Sequence, residues 1–232
     1  MPAPTSGLVL FWNCETLLAG KMDDLSDTGN DGTLSSTADR AVGQVGKARG
    51  FGGVDKIKAD SAPSMSSYTI CIWAKPAVDG KLCVAIDGTG AKYMHYGIIT
   101  ANKFGYTHKS GATAGLILEA GSTNATGAYV HIAARYNGHT VYFFRNGETQ
   151  ASLAATGTFT ISGFGIGRWD DGTSSWFGDL DELRVYNRAL PRSEIQDVYN
   201  DATIYPVTAV LRRPIEHRPA LFPGREPPRK GL

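Results

Sequence analysis

The sequence predicts an all-β protein: a two-sheet antiparallel sandwich closed by one short helix and followed by an extended arm rich in proline and arginine. Three observations point there. Short apolar or alternating segments recur through the first 186 residues, and 28 glycines supply the turns that such a fold needs. Asn137-Gly138 and Asn146-Gly147 are dipeptides suited to tight hairpins, with the strongly β-prone run 141–144 between them. After Pro191 the apolar period changes from two to that of a helix, and from Thr203 onward six of the eleven prolines crowd into thirty residues.

The length of 232 residues fits one all-β domain, placed at 1–202, with the arm at 203–232. A content of 42% hydrophobic and 10% aromatic residues is enough to build a core. The formal net charge of +1 gives no global attraction to nucleic acid or a membrane surface. The amino terminus lacks a basic n-region, and the apolar run 8–12 is too short for the core of a signal peptide. Either a leader has been removed, or the protein is made in the cytosol and leaves by another route; Met1 leans toward the second. Cys14, Cys71 and Cys83 are odd in number and sit among strand-like apolar residues, so they read as buried free thiols.

In chain order, 8–12 is a fully apolar short run that suits a strand buried on both faces or at a sheet junction. Residues 23–32 turn polar and rich in Asp, Asn and Gly. They read as a tight loop bonded to its own backbone or as a calcium loop, although EF-hand spacing is absent. Residues 47–58 read as two short strands around a Gly52-Gly53 turn. The stretch 68–76 alternates Ile70 and Ile72 with Thr69, Cys71 and Trp73, apolar enough on both faces to lie inside a sandwich. Further strand candidates lie at 81–86, 93–100, 104–108 and 115–119, then a three-strand meander over 128–149, then 159–167. The closing strand begins at Phe177. Strict alternation puts Phe177, Asp179, Asp181, Leu183 and Val185 on one face and Gly178, Leu180, Glu182, Arg184 and Tyr186 on the other. In the helix that follows, Ile195, Val198 and Tyr199 share one side.

The closing segment reads GDLDELRVYNRALPxxEI and is similar to the last strand and helix of laminin G-like, concanavalin A-like jelly rolls. Other stretches match in the family's order: GLVLFWNCE from Gly7, DLSDTGNDGTL from Asp24, YTICIWAKP from Tyr68, and YVHIAARYNGHTVYFFRNG from Tyr129. The resemblance spans about residues 7–200 and implies a jelly-roll sandwich, a fold that hosts lectins, hydrolases, adhesion modules and virion parts. It also implies a structural calcium ion tying the first loop to the closing strand, with Asp24, Asn30 and Asp181 as ligands and Glu15 as a neighbour. Asp27-Thr28 stands where relatives often have Gly-Asn, which changes the shape of that loop.

Catalytic chemistry is poorly provided for. The E-x-D-x-x-E pattern of hydrolases with this sandwich is absent, and the nearest carboxylates, Asp179, Asp181 and Glu182, belong to the closing strand. The five histidines form no HExxH pair and no zinc spacing with cysteine, and His131 reads as a satisfied strand histidine. There is no GxSxG elbow and no phosphate loop. The candidate ligand surface is the loop WDDGTSSW, where Trp169, Asp170 and Asp171 could meet a sugar face and its hydroxyls; Trp176 packs instead. Asn124 heads a glycosylation sequon that reads as chance without a leader.

In the arm, Tyr205, Leu211, Ile215, Leu221 and Phe222 are spaced to dip into successive pockets, and Arg212, Arg213 and Arg218 could pair with carboxylates. The expected role is a non-enzymatic structural or recognition protein of a bacteriophage particle, a capsid decoration or fibre-associated subunit. It would dock through this arm on capsid or tail proteins or on its own copies, in a homo-oligomer or hetero-assembly, with nucleic acid disfavoured. The expected place is then the virion. The alternatives are a secreted carbohydrate-binding or adhesion module with a glycan partner and, third, a glycoside hydrolase.

Overall fold

In the computed structural model the described residues are 1–15, 17–18, 20–35, 39–59, 65–78, 84–85, 93–96, 103–110, 113–118, 126–155, 164–168 and 175–204. Cys83, Asn124, the sugar-loop candidates Trp169, Asp170 and Asp171, and the arm candidates from Tyr205 to Phe222 fall outside them.

Strands β1 (Leu8–Trp12), β2 (Leu17–Leu18), β3 (Lys21–Met22) and β4 (Gly32–Leu34) open the chain. Next come β5 (Asp39–Val42), β6 (Lys47–Gly52), β7 (Ile57–Ala59) and β8 (Tyr68–Pro76). The middle holds β9 (Val84–Ala85), β10 (Tyr93–Tyr96), β11 (Phe104–Ser110) and β12 (Thr113–Leu118). Then β13 (Val130–Tyr136), β14 (Thr140–Arg145), β15 (Glu148–Ala154), β16 (Gly165–Ile166) and β17 (Phe177–Tyr186) precede the one helix, α1 (Arg192–Ile204). A first sheet runs β15-β14-β13-β8-β17-β6-β5, with β1 also paired to β17; a second runs β12-β11-β10-β9-β16-β7-β4-β3-β2. Neighbours pair antiparallel, for example Ile132 opposite Ile72 and Val185 opposite Ile70. This is the two-sheet sandwich expected.

One apolar cluster fills the space between the sheets. Leu10, Trp12, Ile70, Ile72, Phe143 and Leu183 of the first sheet share it with Met22, Ile57, Phe104 and Ile166 of the second. Burying such a side chain fully contributes roughly 1.5–3 kcal/mol. A second cluster lies on the far face of the first sheet, where Ile195 and Val198 of α1, with Leu190, cover Cys71, Ala133, Phe144 and Tyr186. Strand β8 is therefore buried along nearly its whole length, as its two apolar faces require.

The hairpins form where Asn-Gly stands. Gly138, Asn146 and Gly147 take φ of 92°, 49° and 78°, the left-handed values that tight turns need and that Asn and Gly adopt at least cost.

The two strands read at 47–58 both form, β6 in the first sheet and β7 in the second, so the turn at 52–55 carries the chain across the sandwich. One expectation is corrected. Alternation along β17 breaks. Glu182 takes φ of 53° and the register against β8 shifts between Asp181 and Arg184, a β-bulge that moves the phase by one residue. Leu180, Leu183 and Val185 consequently all enter the inner core, while Tyr186 joins the cluster under α1. Helix α1 extends through Ile204, two residues into the segment expected as arm.

Candidate functional site

Beyond the end of α1's cover, the outer face of the first sheet is built from small and charged residues. Asp179 stands opposite Gly50 on β6 and Lys75 on β8, and Lys75 Nζ lies 3.0 Å from Asp179 Oδ2. Here a cleft of about 510 Å³ opens, lined by Asp55 and Asp179, by Gly50, Gly52 and Gly178, and by Ala41, Phe51 and Ala77. With three glycines in the lining, backbone amides and carbonyls form much of its surface. Gly178 is required there: its φ is 132°, and a Cβ would come within 2.1 Å of the Lys75 carbonyl oxygen. Asp55 shapes the turn, its Oδ2 accepting the Gly52 N–H at 2.7 Å.

Exposed apolar residues flank the same lining. Val54 sits in the turn, Val78 follows Ala77, and Phe177 precedes Gly178 with 40% of its surface exposed. Tyr129 lies alongside, its ring 5.4 Å from Lys75 Nζ and its hydroxyl donating to the Val42 carbonyl at 2.8 Å. Burial, then Asp179 and Asp181, raise that phenol far above its ordinary pKa. None of the cleft residues was singled out in sequence as a ligand site except as members of the acidic strand. The available signal was Trp176-Phe177, of which one packs at 0% exposure and the other stays open.

The four residues implied as calcium ligands separate into two places. Asp24 organises its own loop: Oδ1 accepts the N–H groups of Phe11 and Ser26 at 2.8 and 2.9 Å, and Oδ2 accepts Asn30 N–H at 2.7 Å and the hydroxyls of Ser26 and Thr28. Asn30 Nδ2 donates to the Val9 carbonyl at 2.9 Å, tying that loop to β1. Glu15 and Asp181 instead meet on the turn at 43–47. Glu15 Oε1 accepts Lys47 N–H at 2.9 Å and Asp181 Oδ2 accepts Val45 N–H at 3.0 Å. Gly46 and Gly43 allow this, since a Cβ on either would come within 1.8 Å of Glu15 Oε1 or 2.6 Å of Asp181 Oδ2.

Asp181 is wholly buried and its Oδ1 accepts no hydrogen bond. Burial foremost, with Glu182 and Glu15 nearby, pushes its pKa up to about 8. An orphaned, buried carboxylate oxygen beside a second carboxylate fits a hard cation. The satisfied Asp24 does not. Among the described residues no group of three or more His, Cys, Asp or Glu side chains is arranged to hold a metal.

The rest of the buried chemistry is structural. Arg184 bridges Glu182 and Asp201 of α1 at 2.8 and 3.0 Å and lies over the Phe11 ring. His131 is a strand histidine set at a tilt against the stacked rings of Trp73 and Tyr199, but it is not satisfied: neither ring nitrogen makes a hydrogen bond, and burial, then Arg184, lower its pKa to about 3. Cys14 and Cys71 are buried free thiols whose pKa burial raises, so neither has the character of a nucleophile.

A family model described as the concanavalin A-like lectin/glucanases superfamily matches residues 51–196. No curated protein matches the chain by sequence. Among solved structures, domain 4 of AbnA, an extracellular GH43 arabinanase from Geobacillus stearothermophilus in complex with arabinotriose, superposes with a TM-score of 0.62 at 20% identity, covering 84% of this chain and 98% of that one. The binding domain of Paraclostridial Mosquitocidal Protein 1 gives 0.66 at 16% identity over 84% of this chain and 52% of its own. The binding domain of botulinum neurotoxin DC in complex with SialylT gives 0.61 at 10% over 85% and 52%. The chain thus spans about half the length of those toxin binding domains, and at these identities the likeness is one of fold.

Proposed function

Since this chain belongs to the concanavalin A-like lectin/glucanase superfamily, we propose that it is a non-catalytic recognition module that binds glycan in the cleft between β6, β17 and the end of β8. The observation that carries this reading is the cleft itself: exposed Phe177 beside backbone polar groups and two carboxylates, the combination by which sugars are held through a ring face and their hydroxyls. The complexes of the arabinanase domain with arabinotriose and of the neurotoxin domain with SialylT support it by analogy of fold. Asp179 is engaged by Lys75, and Asp181 and Glu182 are buried, which leaves the acidic strand poorly placed for paired acid and base work. Glycan recognition therefore stands ahead of the particle-assembly role, which rests on the arm outside the described residues.

Calcium enters as a structural ion held by Glu15 and Asp181, where it would neutralise two carboxylates packed against one turn and fix the β5–β6 connection beside the cleft. The test of the main reading is direct titration of glycans into the protein and into Gly52→Leu. A Cβ at Gly52 meets only Asp55 Oδ2 at 3.5 Å, so the added side chain fills the cleft without disturbing the strand. Retained binding by this variant would move the site elsewhere.

A further inference from the structure

We infer that the cleft selects uncharged sugars and rejects those bearing a carboxylate; this rests on the glycan-binding reading above and names the ligand class of that same site. Two of its described lining residues, Asp55 and Asp179, are acidic and none is basic. The neighbouring cation, Lys75, is engaged by Asp179 at 3.0 Å and lies over the Tyr129 ring. Farther along β17, the buried Arg184 is shared by Glu182 and Asp201.

A sugar hydroxyl entering this field donates to a carboxylate and gains a charge-assisted hydrogen bond. A uronate or sialate group can only accept, and meets like charge. Phe177 supplies the apolar face for the C–H side of the ring, and the glycine backbone supplies further donors and acceptors at no cost in charge.

The experiment is calorimetric titration of the full chain with arabinotriose and soluble galactan as neutral probes and with polygalacturonate and sialyllactose as acidic ones, repeated for Gly52→Leu and Phe177→Ala. Neutral probes should bind, acidic ones about tenfold or more weakly, and the gap should narrow as salt rises from ~0.05 to ~0.5 M and screens the carboxylates. Both variants should lose neutral binding while melting as cooperatively as the parent. Acidic probes that bind as tightly as neutral ones overturn the charge selection and leave glycan binding standing. Neutral binding that survives both substitutions removes the ligand from this cleft and overturns the inference with it. Failure of every sugar to bind sinks the glycan-binding reading itself.

Discussion

The outer face of the first sheet carries two surfaces of opposite character. Across β14, β13, β8 and the last residues of β17 it presents Phe144, Ala133, Cys71 and Tyr186, and α1 covers them with Ile195 and Val198. Toward the start of β17 it presents Asp179, Gly50 and Lys75, and no described element lies over them. The difference is one of outward-facing residue type: apolar positions must be covered to leave water, whereas glycine and paired charges can face it and leave backbone open to a ligand. Trp73 and His131 mark the border, beneath Tyr199 near the end of the helix. One sheet thus anchors a helix at one end and offers a site at the other.

The sharpest break in the comparison should come from the covered end. Ile195 is fully buried in the cluster under α1, so Ile195→Ala is expected to destabilise by about 2–5 kcal/mol, roughly 5–15 °C in melting temperature for a domain of this size. Thermal unfolding by circular dichroism measures it. An unchanged melting temperature would mean that the helix is not a cover but an appendage.

Next in size is Asp181, between the two surfaces. Its folded pKa of about 8 lies above the ordinary 3.8, so the native state holds the proton more tightly than the unfolded chain. The stability this confers is fully present below about 4 and is lost as pH rises toward 8. In chelator at neutral pH, Asp181→Asn should therefore stabilise by about 1–3 kcal/mol. Added calcium should reverse the order, raising the melting temperature of the parent and not of the variant. If calcium moves neither protein, Glu15 and Asp181 hold no ion and the turn is fastened by hydrogen bonds alone.

What could be seen in the sequence follows the locality of the physics. Asn137-Gly138 and Asn146-Gly147 spell their turns in two residues, and 68–76 spells a strand buried on both faces, because each signal is local. The bulge at Glu182 left a trace that strict alternation overlooks, two polar residues between Leu180 and Leu183 where period two allows one, and pairing with β8 shows the shift it marks. Asp24 was visible as a loop residue, but whether its oxygens serve a cation or the loop's own N–H groups is decided by loop shape. The cleft was least legible. It assembles from four separated stretches around Ala41, Gly50, Ala77 and Gly178, and glycines that read as turns become open backbone only once strands lie side by side.

His131 gives a smaller, pH-dependent effect at the border. Its folded pKa of about 3 lies below the ordinary 6.5, so below 6.5 the unfolded chain takes a proton that the native state refuses. Stability from this group is unchanged above 6.5 and falls as pH drops toward 3, by at most ~1.4 kcal/mol per pH unit. Asp181 acts with the opposite sign over part of that range, so the measurement is the difference between the parent and His131→Phe in urea unfolding at several pH values. That difference should grow as pH falls. A flat difference would mean that the imidazole is reached by water and protonated in the native state.

The smallest effect on stability should come from Phe177→Ala at the open end, and it bears most directly on the comparison. The Phe177 ring rests on Gly53, whose absent Cβ would lie 2.3 Å from its tip, yet 40% of the residue faces solvent. Truncation removes little packed area and leaves no enclosed cavity, so the expected cost is about 1 kcal/mol or less, a small fraction of that for Ile195→Ala. Sugar affinity should fall nonetheless, because the lost group is the apolar platform of the cleft. A variant that melts as low as Ile195→Ala would show that Phe177 belongs to the core after all and that the two ends of the face are not distinct. One that melts normally and binds sugar undiminished would keep the contrast in packing and deny the open end its role in recognition.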